Sequence, residues 1–285
     1  MKAKFLITGA NGQLARAFEA RLDRNGSYYL ALSHQELDIK DLRRVRNMVK
    51  QFKPDFILNC AAYNYVDKAE TEWREAFLVN GIGVRNLAIA AVESNAVLVH
   101  FSTDYVFDGE KGEPYLISDI PNPINKYGES KLLGERFVLT HADRYLLVRV
   151  SWVFGDGKNS FPLKLLNWAE GKDELKIVDD QFSSPSYVED IVHAVLDLIS
   201  REAYGLYHVS NSLHCSRYEW AEFILEKVGW KGKLVPAKRS DFDSPAKRPR
   251  FTVLDNFPLE ETIGHLLPNW KDATLRFLKQ KGLIH

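Results

Sequence analysis

The stretch FLITGANGQLA, residues 5–15, decides which fold the sequence predicts. Its first half, Phe5–Thr8, is a short apolar run that predicts a buried β-strand. The glycines at positions 9 and 12 predict a tight turn into a helix that begins near Gln13. Glycines at such a turn let backbone N–H groups approach a pyrophosphate at the helix N-terminus, and Ala15 lets the helix pack closely on the strand. The stretch therefore favours a dinucleotide-binding unit over an ordinary strand–helix turn.

The first 150 residues repeat this alternation of strand and helix. Further strands are predicted at 28–32, 56–60, 97–101 and 145–150, and helices at 13–24, 41–52, 72–94 and 125–139. Nearly continuous apolar strands separated by helices are typical of a parallel sheet that is covered on both faces. We therefore predict an α/β fold with a Rossmann-type, doubly wound parallel sheet.

The pattern becomes irregular after residue 150. Helices are predicted at 161–170, 187–199, from 216 onward and at 271–281, with short strands at 175–178 and 207–209. We predict that residues 1–150 form the dinucleotide-binding Rossmann domain and that segments near 175–210 return to it. Residues 151–285 would mainly form a smaller α/β substrate-binding domain, interleaved with the first.

Charge and composition exclude several classes of function. The chain has 285 residues, with 38 Lys+Arg against 38 Asp+Glu, and this balance argues against a nucleic-acid partner. Neither a signal-peptide core nor about 18 consecutive apolar residues is present, so we expect a cytoplasmic protein without a membrane partner. The two cysteines, Cys60 and Cys215, suit neither a disulfide framework nor a metal site.

A second signal is the pair Tyr127 and Lys131, which one helical turn places on the same helix face. An ammonium group about 4 Å from a phenol, at an effective dielectric near 20, favours the phenolate by about 4 kcal/mol. This would lower the tyrosine pKa by about three units and allow proton transfer to or from a sugar alcohol or ketone. The spacing alone is not specific, because 12 tyrosines give such a pair by chance.

A third signal is Thr103, at the carboxyl end of the fourth predicted strand. Ligands of open α/β sheets bind outside these strand ends, where the threonine hydroxyl can polarise a reacting carbonyl. The alternative is a loop threonine that caps a turn. The three signals together, in this order on the predicted elements, favour an enzyme.

The end of the second strand bears on the choice of dinucleotide. Ser33 and His34 follow Leu32, where many NAD enzymes carry an acid for the ribose 2′-hydroxyl. The missing acid leaves room for a 2′-phosphate, but no arginine follows directly. NADPH and NADH therefore both stay open, with NADPH favoured. Asp38 faces the adenine or caps the next helix.

With further motifs, the whole chain resembles the dTDP-4-dehydrorhamnose reductases, a branch of the extended short-chain dehydrogenases/reductases. The resemblance runs from end to end through residues 9–14, 59–63, 66–70, 102–107, 127–131, 151–154, 180–182, 185 and 248–249. Tyr105 stands where related sugar-nucleotide dehydratases carry the glutamate of a Thr-Asp-Glu triplet.

The resemblance implies reduction of the C4 ketone of dTDP-4-dehydro-L-rhamnose to dTDP-L-rhamnose. It implies Thr103, Tyr127 and Lys131 as catalytic residues: Tyr127 protonates the C4 oxygen, and Lys131 lowers its pKa and holds the nicotinamide ribose. The implied cofactor-binding residues are Gly9, Asn11, Gly12, Gln13, Leu14, Ser33, Asp38, Ile39, Ala61, Ala62, Tyr63, Asn64, Phe101, Tyr127 and Lys131. The implied substrate-binding residues are Thr103, Asp104, Trp152 and Arg248.

Some features depart from the family or leave alternatives open. Ala17 stands where some relatives carry a carboxylate that helps to hold a metal between subunits, so we expect no metal and favour a monomer over a homodimer. The basic loop with Lys247, Arg248 and Arg250 either meets the diphosphate or is a solvated surface loop. The alternatives for function are a reductase of another 4-keto-6-deoxysugar nucleotide and a non-catalytic regulatory subunit of the same fold.

Overall fold

The computed structural model describes residues 3–157 and 160–285. In the described residues the strands are β1 (Lys4–Thr8), β2 (Tyr28–Leu32), β3 (Phe56–Asn59), β4 (Val97–Thr103), β5 (Tyr145–Val150), β6 (Val153–Phe154), β7 (Glu174–Val178), β8 (Phe182–Ser183), β9 (Ser186–Tyr187), β10 (Gly205–His208), β11 (Cys215–Ser216) and β12 (Lys233–Ala237). The α-helices are α1 (Gln13–Arg24), α2 (Leu42–Phe52), α3 (Val66–Ala69), α4 (Trp73–Phe77), α5 (Val84–Glu93), α6 (Lys126–His141), α7 (Phe161–Ala169), α8 (Val188–Ser200), α9 (Arg217–Lys227), α10 (Leu259–Ile263) and α11 (Trp270–Gln280).

The main sheet has six parallel strands in the order β10-β5-β4-β3-β1-β2. The chain runs from β1 to β2 on one side and then crosses to β3 on the other side of β1. The strand order therefore reverses between β1 and β3, and ligands of doubly wound sheets bind in the crevice at such a reversal. The predicted fold class, a Rossmann-type doubly wound sheet, is confirmed.

Apolar cores cover both faces of this sheet, which explains why its central strands are mostly apolar. Phe18 of α1 and Ile191 of α8 belong to the core on one face. Val45 of α2 and Leu87 of α5 belong to the core on the other face. All seven residues of β4 are buried, as expected for a central strand.

The helix predicted over 72–94 is divided by a π-helical segment, Leu78–Gly83. Asn80 in this segment accepts a hydrogen bond from Tyr63 N at 2.8 Å and donates to Tyr63 O at 3.0 Å and Ser130 Oγ at 2.9 Å. Gly81 gives the segment room, because a Cβ there would lie 2.5 Å from Leu133 Cδ2. The π-helical turn thus links the loop after β3 to helix α6 through the hydrogen bonds of Asn80. Periodicity does not reveal such a segment.

The same stretch, Trp73–Glu93, is long and apolar enough to cross a membrane by length and composition, with a mean hydropathy of 1.3. The sequence analysis expected no stretch of this kind. In the fold, 56% of the most apolar part is buried, and α5 packs against the sheet and α6. A segment that is mostly buried inside the fold in this way is typical of a core helix.

The second half of the chain adds small two-stranded sheets. Strand β12 pairs in parallel with β7, and the sequence analysis missed it because Pro236 interrupts the apolar run. Strand β10, expected at 207–209, lies beside β5 at the edge of the main sheet. The division into two domains near residue 150 stays a prediction.

A buried ion pair joins α6 to β5. The Arg149 guanidinium donates through Nε to Glu135 Oε1 at 2.9 Å and through Nη2 to Oε2 at 2.7 Å. The two side chains are only 4% and 1% exposed. The pair fixes the helix that carries two predicted catalytic residues against the strand that follows β4 in the sheet.

We expect Glu135→Gln to lower the free energy of unfolding by about 3–5 kcal/mol, because it leaves the Arg149 charge buried without its partner. Glu129→Gln on the same helix is the matched control. It removes an exposed pair with Lys126 and should cost less than about 1 kcal/mol. Urea denaturation measures both variants, and equal losses would contradict the importance of the buried pair.

Candidate active site

A cleft of about 590 Å³ opens at the carboxyl ends of the central strands. The predicted site residues that line it are Gly12, Gln13, Leu14, Ala61, Ala62, Asn64, Phe101, Thr103, Asp104, Tyr127, Lys131, Trp152 and Arg248. The other predicted site residues do not line it: Gly9, Asn11, Ser33, Asp38, Ile39 and Tyr63. The fold therefore brings the three predicted catalytic residues into one cavity with the glycine turn.

The glycine turn after β1 contacts the loop that follows β3. Gly9 has a φ of +73°, and a Cβ there would lie 2.8 Å from the backbone N and Cα of Ala61. Gly12 N donates to Gly9 O at 2.8 Å and closes the turn. No side chain in the described residues caps α1 at Gly12. The first N–H groups of this helix are therefore suited to an anionic group such as a pyrophosphate.

The structure corrects the interpretation of the end of β2. Ser33 donates from its backbone N at 2.8 Å and from its Oγ at 2.7 Å to Glu36 Oε2. These hydrogen bonds lower the Glu36 pKa. Arg44 Nη2 also donates to Glu36 O at 2.7 Å. An acid and a guanidinium therefore both stand near this strand end. The sequence does not reveal them, because Glu36 returns to Ser33 through a turn in which Glu36 N donates to Ser33 O at 3.2 Å.

The two neighbouring predicted cofactor residues have structural contacts of their own. Asp38 Oδ1 accepts a hydrogen bond from Lys40 N at 3.0 Å. Ile39 is buried against Gly83 of the π-helical segment, where a Cβ would lie 2.6 Å from its side chain. Both residues are therefore held near the end of β2, and their contact with a cofactor stays a prediction.

Tyr127 lies in the first turn of α6, which Asn125 starts by accepting a hydrogen bond from Gly128 N at 2.8 Å. Its ring packs edge-on against Tyr105, with centroids 5.9 Å apart. Burial raises the Tyr127 pKa, and a hydrogen bond with Thr103 opposes this only in part. Tyr127 is therefore a protonated phenol at neutral pH.

The expected effect of Lys131 on Tyr127 is wrong for this structure. Lys131 Nζ donates to Phe101 O at 2.6 Å, and burial lowers the Lys131 pKa to about 8. The groups that shift the Tyr127 pKa do not include this ammonium. The helical spacing brings both side chains into the cleft, but the Lys131 ammonium is directed to the carbonyl of Phe101. Burial therefore has the largest effect on the Tyr127 pKa.

Asp104 is buried among hydroxyl groups. Thr252 Oγ1 donates to Asp104 Oδ2 at 2.5 Å, Ser183 Oγ to the same oxygen at 3.3 Å, and Thr103 Oγ1 to Oδ1 at 3.0 Å. Burial raises the Asp104 pKa to about 6, although these bonds oppose the rise. The Thr103 hydrogen therefore points to Asp104, and the Thr103 oxygen also accepts a hydrogen bond from Tyr105 N at 3.2 Å, so the threonine caps the turn after β4.

Arg248 lines the cleft but already has a partner. Its Nη1 and Nη2 donate to Asp67 Oδ1 at 3.0 Å and Oδ2 at 2.7 Å. Ser244 Oγ donates to Asp67 Oδ1 at 2.5 Å. Burial opposes the charged form of Asp67, yet the bonds from Arg248 and Ser244 hold its pKa at about 2. Arg248 thus ties the basic loop to α3, whereas Lys247 and Arg250 of the same loop are exposed.

The sequence analysis also missed Arg217, at the start of α9. Its guanidinium carbon lies 3.4 Å from the ring centroid of Trp152 and 4.6 Å from that of Phe161. Among the described residues its side chain makes no ion pair, and burial lowers its pKa to about 10. A partly buried cation that forms no ion pair, next to a cleft residue, can attract an anionic ligand. No motif in the sequence marks this arginine.

Comparisons with known proteins point to one family. A model of the RmlD substrate binding domain matches residues 3–282. The dTDP-4-dehydrorhamnose reductase of Aggregatibacter actinomycetemcomitans is 38% identical over 284 residues, which cover 95% of this chain and 97% of that protein. The spore coat polysaccharide biosynthesis protein SpsK of Bacillus subtilis (strain 168) is 37% identical over 279 residues, which cover 98% of each protein.

A solved structure agrees with these matches. The dTDP-4-dehydrorhamnose reductase from Bacillus anthracis str. Ames, in complex with NADP, has a TM-score of 0.95 and 36% sequence identity to this chain. The alignment covers 98% of this chain and 100% of that one. The likeness therefore extends over both the sheet and the irregular second half.

Proposed function

The chain belongs to the RmlD substrate binding domain family, and we propose that it reduces the C4 ketone of dTDP-4-dehydro-L-rhamnose to dTDP-L-rhamnose with NADPH or NADH. The observation that carries this proposal is the protonated phenol of the partly buried Tyr127, in hydrogen-bonding contact with Thr103 and in one cleft with the uncapped N-terminus of α1. A reduction needs a proton donor beside the new hydroxyl group, and a protonated phenol supplies one. The named relatives support the choice of substrate.

The glycine turn and the first turn of α1 hold the dinucleotide pyrophosphate in this account. Glycine at position 9 permits the close contact with Ala61, and the uncapped N–H groups of the first helical turn would donate to the phosphates. When bound, the dihydronicotinamide supplies a hydride to C4 of the sugar. Lys131, whose Nζ donates to Phe101 O at 2.6 Å, would hold the nicotinamide ribose.

Tyr127 carries the proton transfer. Its hydroxyl gives a proton to the C4 oxygen as C4 gains the hydride, so the ketone becomes an alcohol and a phenolate remains. Solvent then returns a proton to the phenolate. Thr103 orients the Tyr127 hydroxyl, and Asp104 orients Thr103 by accepting its hydrogen bond at 3.0 Å. Because burial keeps the phenol protonated, the donor form is present at neutral pH.

The substrate would lie between the ends of the central strands and the second half of the chain. We infer that Thr103 and Trp152 contact the sugar. The charges of Arg217 and Arg248 suit the diphosphate, since guanidinium groups match phosphate geometry. Arg248 would have to bind the diphosphate while it stays paired with Asp67, whereas Arg217 has no competing acid among its described contacts.

We expect the protein to act in the cytoplasm as a monomer.

The cofactor preference is expected to depend on Glu36. Its carboxylate stands at the end of β2, where an acid binds the ribose hydroxyls and repels a 2′-phosphate. The Arg44 guanidinium, which donates a hydrogen bond to the backbone carbonyl of Glu36, carries the opposite charge. We propose that the two charges balance, so that both dinucleotides are used.

Tyr127→Phe should lower kcat by about 10²–10⁴-fold, because it removes the proton donor and keeps the ring that packs on Tyr105. Tyr28→Phe, at an exposed position, is the control and should leave kcat unchanged. The assay follows nicotinamide absorbance with dTDP-4-dehydro-L-rhamnose, and circular dichroism checks the fold. Unchanged turnover by Tyr127→Phe would contradict the assigned role. If the wild type acts only on another keto-deoxysugar nucleotide, the proposed substrate is wrong.

Glu36→Gln should raise the ratio of kcat/KM for NADPH to that for NADH severalfold. Gln still accepts the hydrogen bonds of Ser33 but no longer repels the 2′-phosphate, a repulsion of about 1 kcal/mol for charges near 4 Å in water. Glu226→Gln, an exposed acid paired with Lys227, makes the same change in net charge away from the cleft. A ratio that changes equally in both variants would exclude a local effect of Glu36.

A further inference from the structure

Three potential metal ligands converge outside the catalytic cleft. His193 and Asp197 are four residues apart on α8, and His265 follows α10. Their ligand atoms all lie within 4.8 Å of one another. Nε2 of His193 lies 4.0 Å from Asp197 Oδ2, and Nε2 of His265 lies 3.9 Å from the same oxygen. Two imidazole nitrogens from separate segments therefore point at one carboxylate oxygen.

Other contacts hold His265 in this position. Arg201, just after α8, donates from Nη2 to Ile263 O at 2.9 Å, and the Ile263 side chain is buried. Gly264 ends α10 with a φ of +83° and donates from its N to Glu260 O at 2.8 Å. The segment that presents His265 is thus fixed on α8 by packing and hydrogen bonds. The position of His265 therefore does not depend on contacts among the three residues themselves.

The three side chains are accessible to an ion in solution. Those of His193, His265 and Asp197 are 54%, 41% and 31% exposed. None of them lines the catalytic cleft, and the proposed reduction gives them no role. Their sequence positions form no recognisable motif, because His265 is far from the other two along the chain.

We propose that His193, Asp197 and His265 form a binding site for a divalent metal ion of the Zn²⁺ type. Two imidazole nitrogens and one carboxylate oxygen are ligands that Zn²⁺ accepts, with water completing a tetrahedral shell. Metal–ligand bonds of about 2.1 Å place tetrahedral ligand atoms about 3.4 Å apart. The two distances to Asp197 Oδ2 are 3.9 and 4.0 Å, and no ligand atom lies more than 4.8 Å from another. Each separation must therefore shrink by between about 0.5 and 1.4 Å, which rotation of these partly exposed side chains can supply. Mg²⁺ and Ca²⁺ prefer oxygen ligands and fit this set poorly.

A bound ion would tie α8 to the segment after α10. Helix α8 packs on α1 through one part of its surface, and α10 with the segment after it packs on another part of α8. Because an ion that binds only the folded chain stabilises it, the site would act as a cross-link between these parts.

Isothermal titration of the untagged full chain with Zn²⁺ tests the proposal. The wild type should bind one equivalent. His265→Gln and Asp197→Asn should each weaken binding about tenfold or more, as loss of a ligand does in metal sites. His214→Gln is the matched control, since His214 is exposed and contacts Phe251 outside the cluster. It should bind Zn²⁺ as the wild type does.

Thermal unfolding supplies a second measurement that does not depend on activity. Zn²⁺ should raise the Tm of the wild type and of His214→Gln but not that of His265→Gln, and Mg²⁺ should raise none of them. With a chelator present, the variants should share the wild-type Tm, which shows that they fold. The proposal is overturned if the wild type binds no Zn²⁺ or if both ligand variants bind it unchanged.

Discussion

The shape of the cleft depends on the close contact between Gly9 and the backbone of Ala61. A Cβ at Gly9 would lie 2.8 Å from Ala61 N, so only glycine lets the loops after β1 and β3 meet. This contact lies where the strand order reverses, and it brings the uncapped start of α1 beside the ends of the central strands. A pyrophosphate site and a proton donor can then share one cavity.

Burial decides the chemistry of that cavity. It keeps Tyr127 protonated, lowers the Lys131 pKa to about 8 and raises the Asp104 pKa to about 6. Each shift favours the neutral form of the group, as desolvation requires. The arrangement suits reduction, because the donor holds its proton before the substrate arrives. Ser183 and Thr252, both in the second half of the chain, donate hydrogen bonds to Asp104. These bonds connect the second half of the chain to the catalytic residues.

Much of the fold could be predicted from local patterns, and the failures have physical causes. Apolar strands and helical periodicity located the main sheet, because both of its faces are buried. The lowered Tyr127 pKa was wrong because helical spacing fixes a shared face but not where the Lys131 ammonium points. Glu36 reaches Ser33 only through a turn. Arg217 and the cluster around His265 depend on tertiary contacts that spacing does not encode.

The central claim is that Tyr127 is a protonated phenol before the reaction. Ultraviolet titration of tyrosinate in the wild type, minus that in Tyr127→Phe, isolates this one residue. Because burial raises the Tyr127 pKa, we expect no tyrosinate from Tyr127 up to about pH 10, the ordinary pKa of tyrosine. A Tyr127 signal that titrates near pH 7 would contradict it, since it would mean that Lys131 rather than burial sets the state of the phenol.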